Sequence, residues 1–284
     1  MSLRSRARAT ARKRALDLLG ARDSWTGRTR AALARPRVHM IYLHGVPRDE
    51  LDRFRTLIDH LSAGHDFVSH SEAVSMITSG RTPTVPTMSI SFDDGFISNV
   101  EAAKVLAERG ISGCFFLPPD FIGTRDTAAA HRYFRTKEGV ETAMSWDDVD
   151  GLLAEGHEVG NHTRRHHNLA TLDAAQTEDE IAGGREVLRS RTGAAIDHFA
   201  WPLGRFQHFT EKAARSVYSA GHSSCASAVR GAHPASHPVD RPCLRRDHIM
   251  TSWPMSHTLH FLTSSALGAS NGDNAWPVGW DVAS

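Results

Sequence analysis

The amino-acid sequence predicts an α/β fold with a mainly parallel sheet, arranged as a barrel or as a doubly wound layer. Three observations carry this expectation. From Val38 onward, strand-like apolar runs alternate with segments whose apolar residues share one helical face. The connections are short, and no Pro/Ser-rich linker divides the body. With 284 residues, 40% hydrophobic and 23% charged, the chain can bury a full core in one large domain or two small ones.

The elements follow in order. Residues 38–43 form an apolar strand that ends near Gly45. Leu51, Phe54, Leu57, Ile58 and Leu61 lie at one-face helical spacing, and Gly64 stops that helix. Residues 87–92 alternate as a strand and run into Asp93-Asp94-Gly95. A helix over about 97–108 is closed by Gly110 and followed by a strand over 111–117. Residues 146–153 are expected to be helical and 157–160 a short strand. Thr177-Glu178-Asp179-Glu180 has the form of a capping box and should open a helix through Leu188. A strand at 196–201, a helix at 211–218 and a strand at 222–226 complete the rhythm. From Thr251 no periodicity is evident.

Charge is unevenly spread. Residues 1–37 hold ten Arg and Lys13 against Asp17 and Asp23, a net +9, whereas the remaining residues carry −8. Residues 1–37 therefore form a basic arm, 38–250 the body and 251–284 a C-terminal tail. For the arm, a solvated, poorly ordered tail ranks ahead of contact with an anionic membrane surface; no specific nucleic-acid partner is expected. A secretory signal is disfavoured because Asp17 interrupts the short apolar stretch, although the Arg-rich composition also suits an organellar transit peptide. No apolar run reaches the length of a membrane span. The default expectation is a cytoplasmic protein, at most peripheral to a membrane.

Three cysteines, Cys114, Cys225 and Cys243, are too few and too scattered for a disulfide scaffold or a Cys-rich zinc module. Eighteen histidines are an unusual number, and imidazole binds metals and transfers protons near neutral pH. Two places concentrate chemistry. Asp93 and Asp94 stand at the carboxyl end of a strand, where functional groups collect in parallel α/β folds, though Asp-Gly also makes ordinary turns. His162 and His166, four residues apart, can converge on one ion across a single helical turn, while a solvated polar loop is the plainer reading. Taken together, an Asp and two His make a three-ligand set with open positions, suited to catalysis by a divalent cation.

Ser91-Phe92-Asp93-Asp94-Gly95, Met144-Ser145-Trp146-Asp147-Asp148, Gly156-His157-Glu158-Val159-Gly160-Asn161-His162-Thr163 and Phe199-Ala200-Trp201-Pro202-Leu203-Gly204 together resemble the successive motifs of the polysaccharide deacetylases, the NodB-like carbohydrate esterase family 4. The resemblance implies a distorted (β/α)7-type barrel in a single catalytic domain. It also implies metal-dependent hydrolysis of an N-acetyl group on an amino sugar or glycan intermediate. Carried over, Asp94, His162 and His166 match the metal ligands and Asp93 the general base. The Leu203 backbone N–H matches the oxyanion donor. Zinc leads as the metal, with cobalt, nickel or manganese as others.

Several positions depart from the common pattern. The third motif lacks the Arg that would hold the base, and the chain resembles more closely a permuted exopolysaccharide deacetylase subgroup in which Arg246 would compensate; a surface Arg without a role is the competing reading. For the general acid, His44 at the end of the first strand is preferred over His260. His167 is a reserve for His166 as ligand. Trp201 belongs to the core or the pocket wall, with a sugar-facing role as the lesser reading. An amidohydrolase acting on a non-sugar amide or imide, and a catalytically weak carbohydrate-binding or scaffold protein working through its basic arm, are the competing functions.

Overall fold

A computed structural model of the chain describes residues 3–81, 83–135, 140–234, 238–268 and 276–282, with side chains in the first helix from position 8, except 9. The basic arm is helical. α1 (Leu3–Trp25) and α2 (Arg28–Leu33) precede β1 (Arg37–Leu43), α3 (Leu51–Ser62), β2 (Asp66–Phe67) and α4 (His70–Thr78). Then come β3 (Pro86–Asp93), α5 (Asn99–Ala107), β4 (Gly113–Leu117), α6 (Thr127–Phe134), α7 (Trp146–Ala154) and β5 (Glu158–Asn161). α8 (Ala174–Glu178) continues through a π-helical turn, Asp179–Gly183, into α9 (Gly184–Thr192). β6 (His198–Ala200), α10 (Glu211–Ser219), β7 (Ser224–Ala226), β8 (Cys243–Leu244), β9 (Asp247–His248) and α11 (Met255–Gly268) complete the order.

All strand pairings are parallel, in the order β8-β7-β6-β5-β4-β3-β1-β9, with β2 added beside β3. The two ends of this order, β8 and β9, are separated in the chain only by Arg245 and Arg246. Three Cα steps span no more than about 11 Å, so the sheet must curl until its edges almost meet. The result is a distorted barrel with a seam at Arg246.

Alternation along the strands sorts the two faces. Ile41, Leu43, Ile90, Phe92, Phe115 and Leu117 point outward and pack under α3, α5 and α7, with Phe92 and Phe115 stacked at 4.9 Å between ring centroids. Inward-facing Val38, Met40, Cys114, Phe116, Ala200, Ala226 and Leu244 meet Ala73, Val74 and Ile77 of α4, which fills the interior. A second aromatic cluster outside β6 and β7 holds Phe199, Trp201 and Phe209 against Trp276 and Trp280. Burial raises the pKa of all three free thiols, that of Cys243 to about 12, and leaves them inert.

Three expectations need correction. The disordered-tail reading of the arm fails, because α1 and α2 pack on α11. His257 Nε2 lies 2.7 Å from Asp17 Oδ1 and His260 Nδ1 2.6 Å from Asp23 Oδ2. At Gly20 the helices touch so closely that a Cβ would stand 2.9 Å from the Ser256 carbonyl oxygen. The tail from Thr251 contains α11, whose buried face is recognised only with its partner in place; residues 269–275 and 283–284 of that tail lie outside the described residues. The capping box near Thr177 sits four residues earlier, with Asp173 and Gln176, and Thr177 is inside the helix with its hydroxyl on the Asp173 carbonyl. α4, opened by a Ser69–Glu72 capping box, is a helix beyond those expected from the sequence. Among the described residues no helix is long and apolar enough to cross a membrane.

Burial also depresses several histidines, His65 to about 4 and His222 to about 3 among them. Each stays neutral in the fold while the unfolded chain takes up a proton near its ordinary value of about 6.5. The stability they contribute is therefore present above that value and lost as the pH falls toward 4. Urea unfolding at pH 5 should give a free energy about 2–4 kcal/mol below that at pH 7, and His65→Gln should flatten the slope.

Candidate active site

β3 ends with two carboxylates that normal alternation would send to opposite faces. Asp93 follows Ser89 and Ser91 into the barrel. Asp94 adopts a left-handed φ of 77° and Gly95 one of 71°, which turns the chain and brings the second carboxylate to the same mouth. Both are buried.

Their partners differ completely. Arg246, fully buried at the barrel seam, grips Asp93 with both arms of its guanidinium, Nη1 to Oδ1 at 2.8 Å and Nη2 to Oδ2 at 2.9 Å. Nη1 also reaches Ser91 Oγ at 3.1 Å, and Nε donates to the Ser227 carbonyl at 3.0 Å. The rings of Tyr42 and Phe116 cover the cation at 4.4 and 5.1 Å. Burial pushes the Asp93 carboxyl up, but Arg246 and His162 together hold it below the ordinary carboxylate value. The surface-Arg reading of Arg246 is thus replaced by a buried fork.

Asp94 faces imidazoles instead. Its Oδ1 lies 3.5 Å from His162 Nε2 and 3.2 Å from His166 Nε2, and it has no hydrogen-bond partner although buried. The His162 ring is fixed from behind, since its Nδ1–H donates to the Ala200 carbonyl at 2.8 Å and so leaves Nε2 for the site. His166 is held edge-on to Phe134 at 4.8 Å. Burial raises and the nearby imidazoles lower the Asp94 carboxyl, which ends well below its usual range. One ligand atom from each of Asp94, His162 and His166 lies within 4.8 Å of the others. An orphaned buried oxygen with two aimed nitrogens is a donor set that could hold a divalent cation.

The path from His162 to His166 is not the helical turn the spacing suggested. Thr163 and His166 take positive φ values of 60° and 57°, and the His166 N–H donates to Thr163 Oγ1 at 3.0 Å. Glu180, fully buried on the π-helical turn, secures the loop by accepting from the backbone N–H and the Nε of Arg165, both at 2.9 Å. His167 Nδ1 lies 3.0 Å from the same carboxylate, so His167 faces away from Asp94.

His44, at the end of β1, places Nε2 at 3.9 Å from Asp94 Oδ2, on the open side of the site. Its Nδ1 meets His248 Nε2 at 3.2 Å. Burial and the neighbouring His44 depress His248 to about 4, so it stays neutral. These groups line a groove of about 950 Å³ together with Glu141, Leu203 and Met250.

Residues 80–221 match the family model described as polysaccharide deacetylase. The chain belongs to the polysaccharide deacetylase family. This deacetylase-family chain is 25% identical to YxkH of Bacillus subtilis (strain 168) over 174 residues, 61% of this chain and 56% of that protein. It is 33% identical over 112 residues to a chitin deacetylase of Pestalotiopsis sp, 39% of this chain and 32% of the relative. The chain thus spans about half or less of the length of these curated relatives. The solved structure of IcaB from Ammonifex degensii superposes with a TM-score of 0.63 at 22% identity, covering 82% of this chain and 98% of that one, and shares the fold.

Of the sequence-nominated residues, Asp93, Asp94, His162, His166, His44 and Arg246 converge, and Leu203 reaches the rim with a φ of 64°. His260 is engaged with Asp23 on α1 instead. The substrate-facing reading of Trp201 is corrected: the ring is buried and stacked on Phe209 at 4.4 Å. His248 and Glu180 were missed, because only the folded chain brings them beside His44 and the His162–His166 loop. Replacing Arg246 by Ala leaves Asp93 as a buried, unpaired charge, and in metal-free protein should cost roughly 3–5 kcal/mol of unfolding free energy in urea titrations.

Proposed function

We propose that this chain is a metal-dependent hydrolase that removes the N-acetyl group from an acetylated amino sugar or glycan intermediate. The observation that carries the reading is the division of two adjacent carboxylates between opposite partners, Asp93 on Arg246 and Asp94 on two imidazoles. Family membership and the match to a chitin deacetylase support the substrate class.

In this reading Asp94, His162 and His166 hold the cation. When bound, a divalent ion, zinc foremost and cobalt, nickel or manganese as others, would polarise the acyl oxygen and lower the pKa of the attacking water. Asp93 accepts the proton of that water. Its fork with Arg246 keeps it ionised and aimed, and makes it a weak base suited only to a water already acidified. The backbone N–H of Leu203 at the rim donates to the developing oxyanion. His44 donates a proton from Nε2 to the departing amine, while neutral His248 accepts from its Nδ1–H and holds the ring in that orientation.

Acetate release from N-acetylglucosamine oligomers, compared with release of products from small amides and imides, tests the substrate class. Chelation should abolish turnover and added zinc restore it. Asp93→Asn should lower kcat/KM by roughly 10²–10⁴-fold with one cation still bound per chain by metal analysis; retained turnover removes Asp93 from the role of base. Activity that survives His44→Ala but not His260→Ala would exchange the acid.

A further inference from the structure

Helix α1 has an outer face that the body does not use. Its inner side meets α11 through Leu16, Leu19, Gly20 and Asp23, all partly or fully buried. On the opposite side Arg14, Leu18, Arg22 and Trp25 recur at helical spacing as one exposed stripe. Leu18 is 73% exposed and Trp25 90%, among the most exposed large apolar side chains described. An exposed Leu and Trp beside Arg14 combine apolar and cationic groups on one stripe, while Arg22 is paired with Asp23 at 3.1 Å. The helix as a whole is basic rather than strongly amphipathic, so charge would lead its binding.

The helix is also placed for it. α11 starts at Met255, directly after residues 248–252 that line the groove, and runs away from the mouth, since Ser265 Oγ returns to Asp247 Oδ1 at 2.9 Å. α1 runs parallel to α11, with Asp17 beside His257 and Asp23 beside His260. Its residues before Leu16 therefore extend past the level of the mouth. Residues 10–15 are exposed on every side of the helix, so this stretch stands clear of the body. Among the described residues no carboxylate pairs with Arg12, Lys13 or Arg14. The rest of the chain carries −8 against the +9 of residues 1–37, so an anionic surface would attract the arm and repel the body.

We propose that α1 docks on an anionic lipid bilayer, with Arg12, Lys13 and Arg14 of its free-standing stretch 10–15 on the headgroups and Leu18 and Trp25 of its outer face seated at the acyl boundary. A nucleic acid would satisfy the cations and leave the exposed Leu18 unexplained. None of the groove's lining residues lies on α1, so the docked surface is not the groove's own lining. The binding itself is independent of the hydrolase reading. Its consequence, that the acetylated sugar is met at a bilayer surface, rests on that reading.

Co-sedimentation of the full chain with phosphatidylcholine vesicles, with and without phosphatidylglycerol, tests the proposal. Binding should require phosphatidylglycerol and weaken with salt. The combined R12E, K13E and R14E variant should lower partitioning by about 100-fold or more at low salt, with an unchanged circular dichroism spectrum and melting curve, and with unchanged turnover of a soluble acetylated oligomer if the wild type turns it over. Tryptophan emission should shift to the blue on vesicle addition, and that shift should largely disappear in Trp25→Phe. No sedimentation with phosphatidylglycerol, equal sedimentation with neutral vesicles, or unchanged binding by the triple variant overturns the proposal. Salt-sensitive binding of duplex nucleic acid in place of vesicles, indifferent to Leu18→Ser and Trp25→Ser, would make nucleic acid the partner and overturn it equally.

Discussion

A buried fork between Arg246 and Asp93 is the contact on which barrel and site both depend. An ionised carboxylate inside a barrel is destabilising unless an opposite charge with matched geometry meets it. The guanidinium does so from the one place where the sheet's two edges come together, because only Arg245 and Arg246 separate β8 from β9. Small inward residues, Ser91, Cys114, Ala200 and Ala226, leave room for that side chain, and Tyr42 and Phe116 close over it. Closing the barrel and pairing the buried Asp93 charge are accordingly one event.

The second constraint is the turn at Asp94. Strand alternation would point adjacent carboxylates to opposite faces, and the left-handed backbone at Asp94 and Gly95 overrides it. Asp is among the residues that tolerate this conformation, and Gly takes it freely. Two carboxylates so close repel each other unless their environments diverge. Here one is neutralised by a guanidinium and the other is left with imidazoles and an unsatisfied oxygen, so the two carboxylates stand in opposite environments. His162 and His166 are in turn made precise by groups behind them, the Ala200 carbonyl, Phe134 and the Glu180 anchor of the loop.

Around this centre the terminal segments complete the fold. α1 and α2 cover α11, and histidine–aspartate contacts join them. Several of the many histidines thus serve neither metal nor proton transfer. His257 and His260 tie helices together, His39 meets Asp247 at 2.7 Å beneath the seam, and His65 and His222 are buried neutral rings.

The sequence alone was enough for the alternation of strands and helices, the parallel sheet, and the two motifs that hold Asp93, Asp94, His162 and His166. These features are local: periodicity, turn residues and spacing act over a few positions. It left open whether Arg246 had a role, whether His44 or His260 faced the site, whether Trp201 met solvent, and what the arm and tail did. Only the tertiary structure decided these placements, because the contacts that decide them join distant residues. Arg246 and Asp93 are 153 positions apart, His44 and His248 204, and His260 and Asp23 237. No local pattern encodes such pairs. They exist only once the barrel has curled its edges together and the terminal helices have found each other.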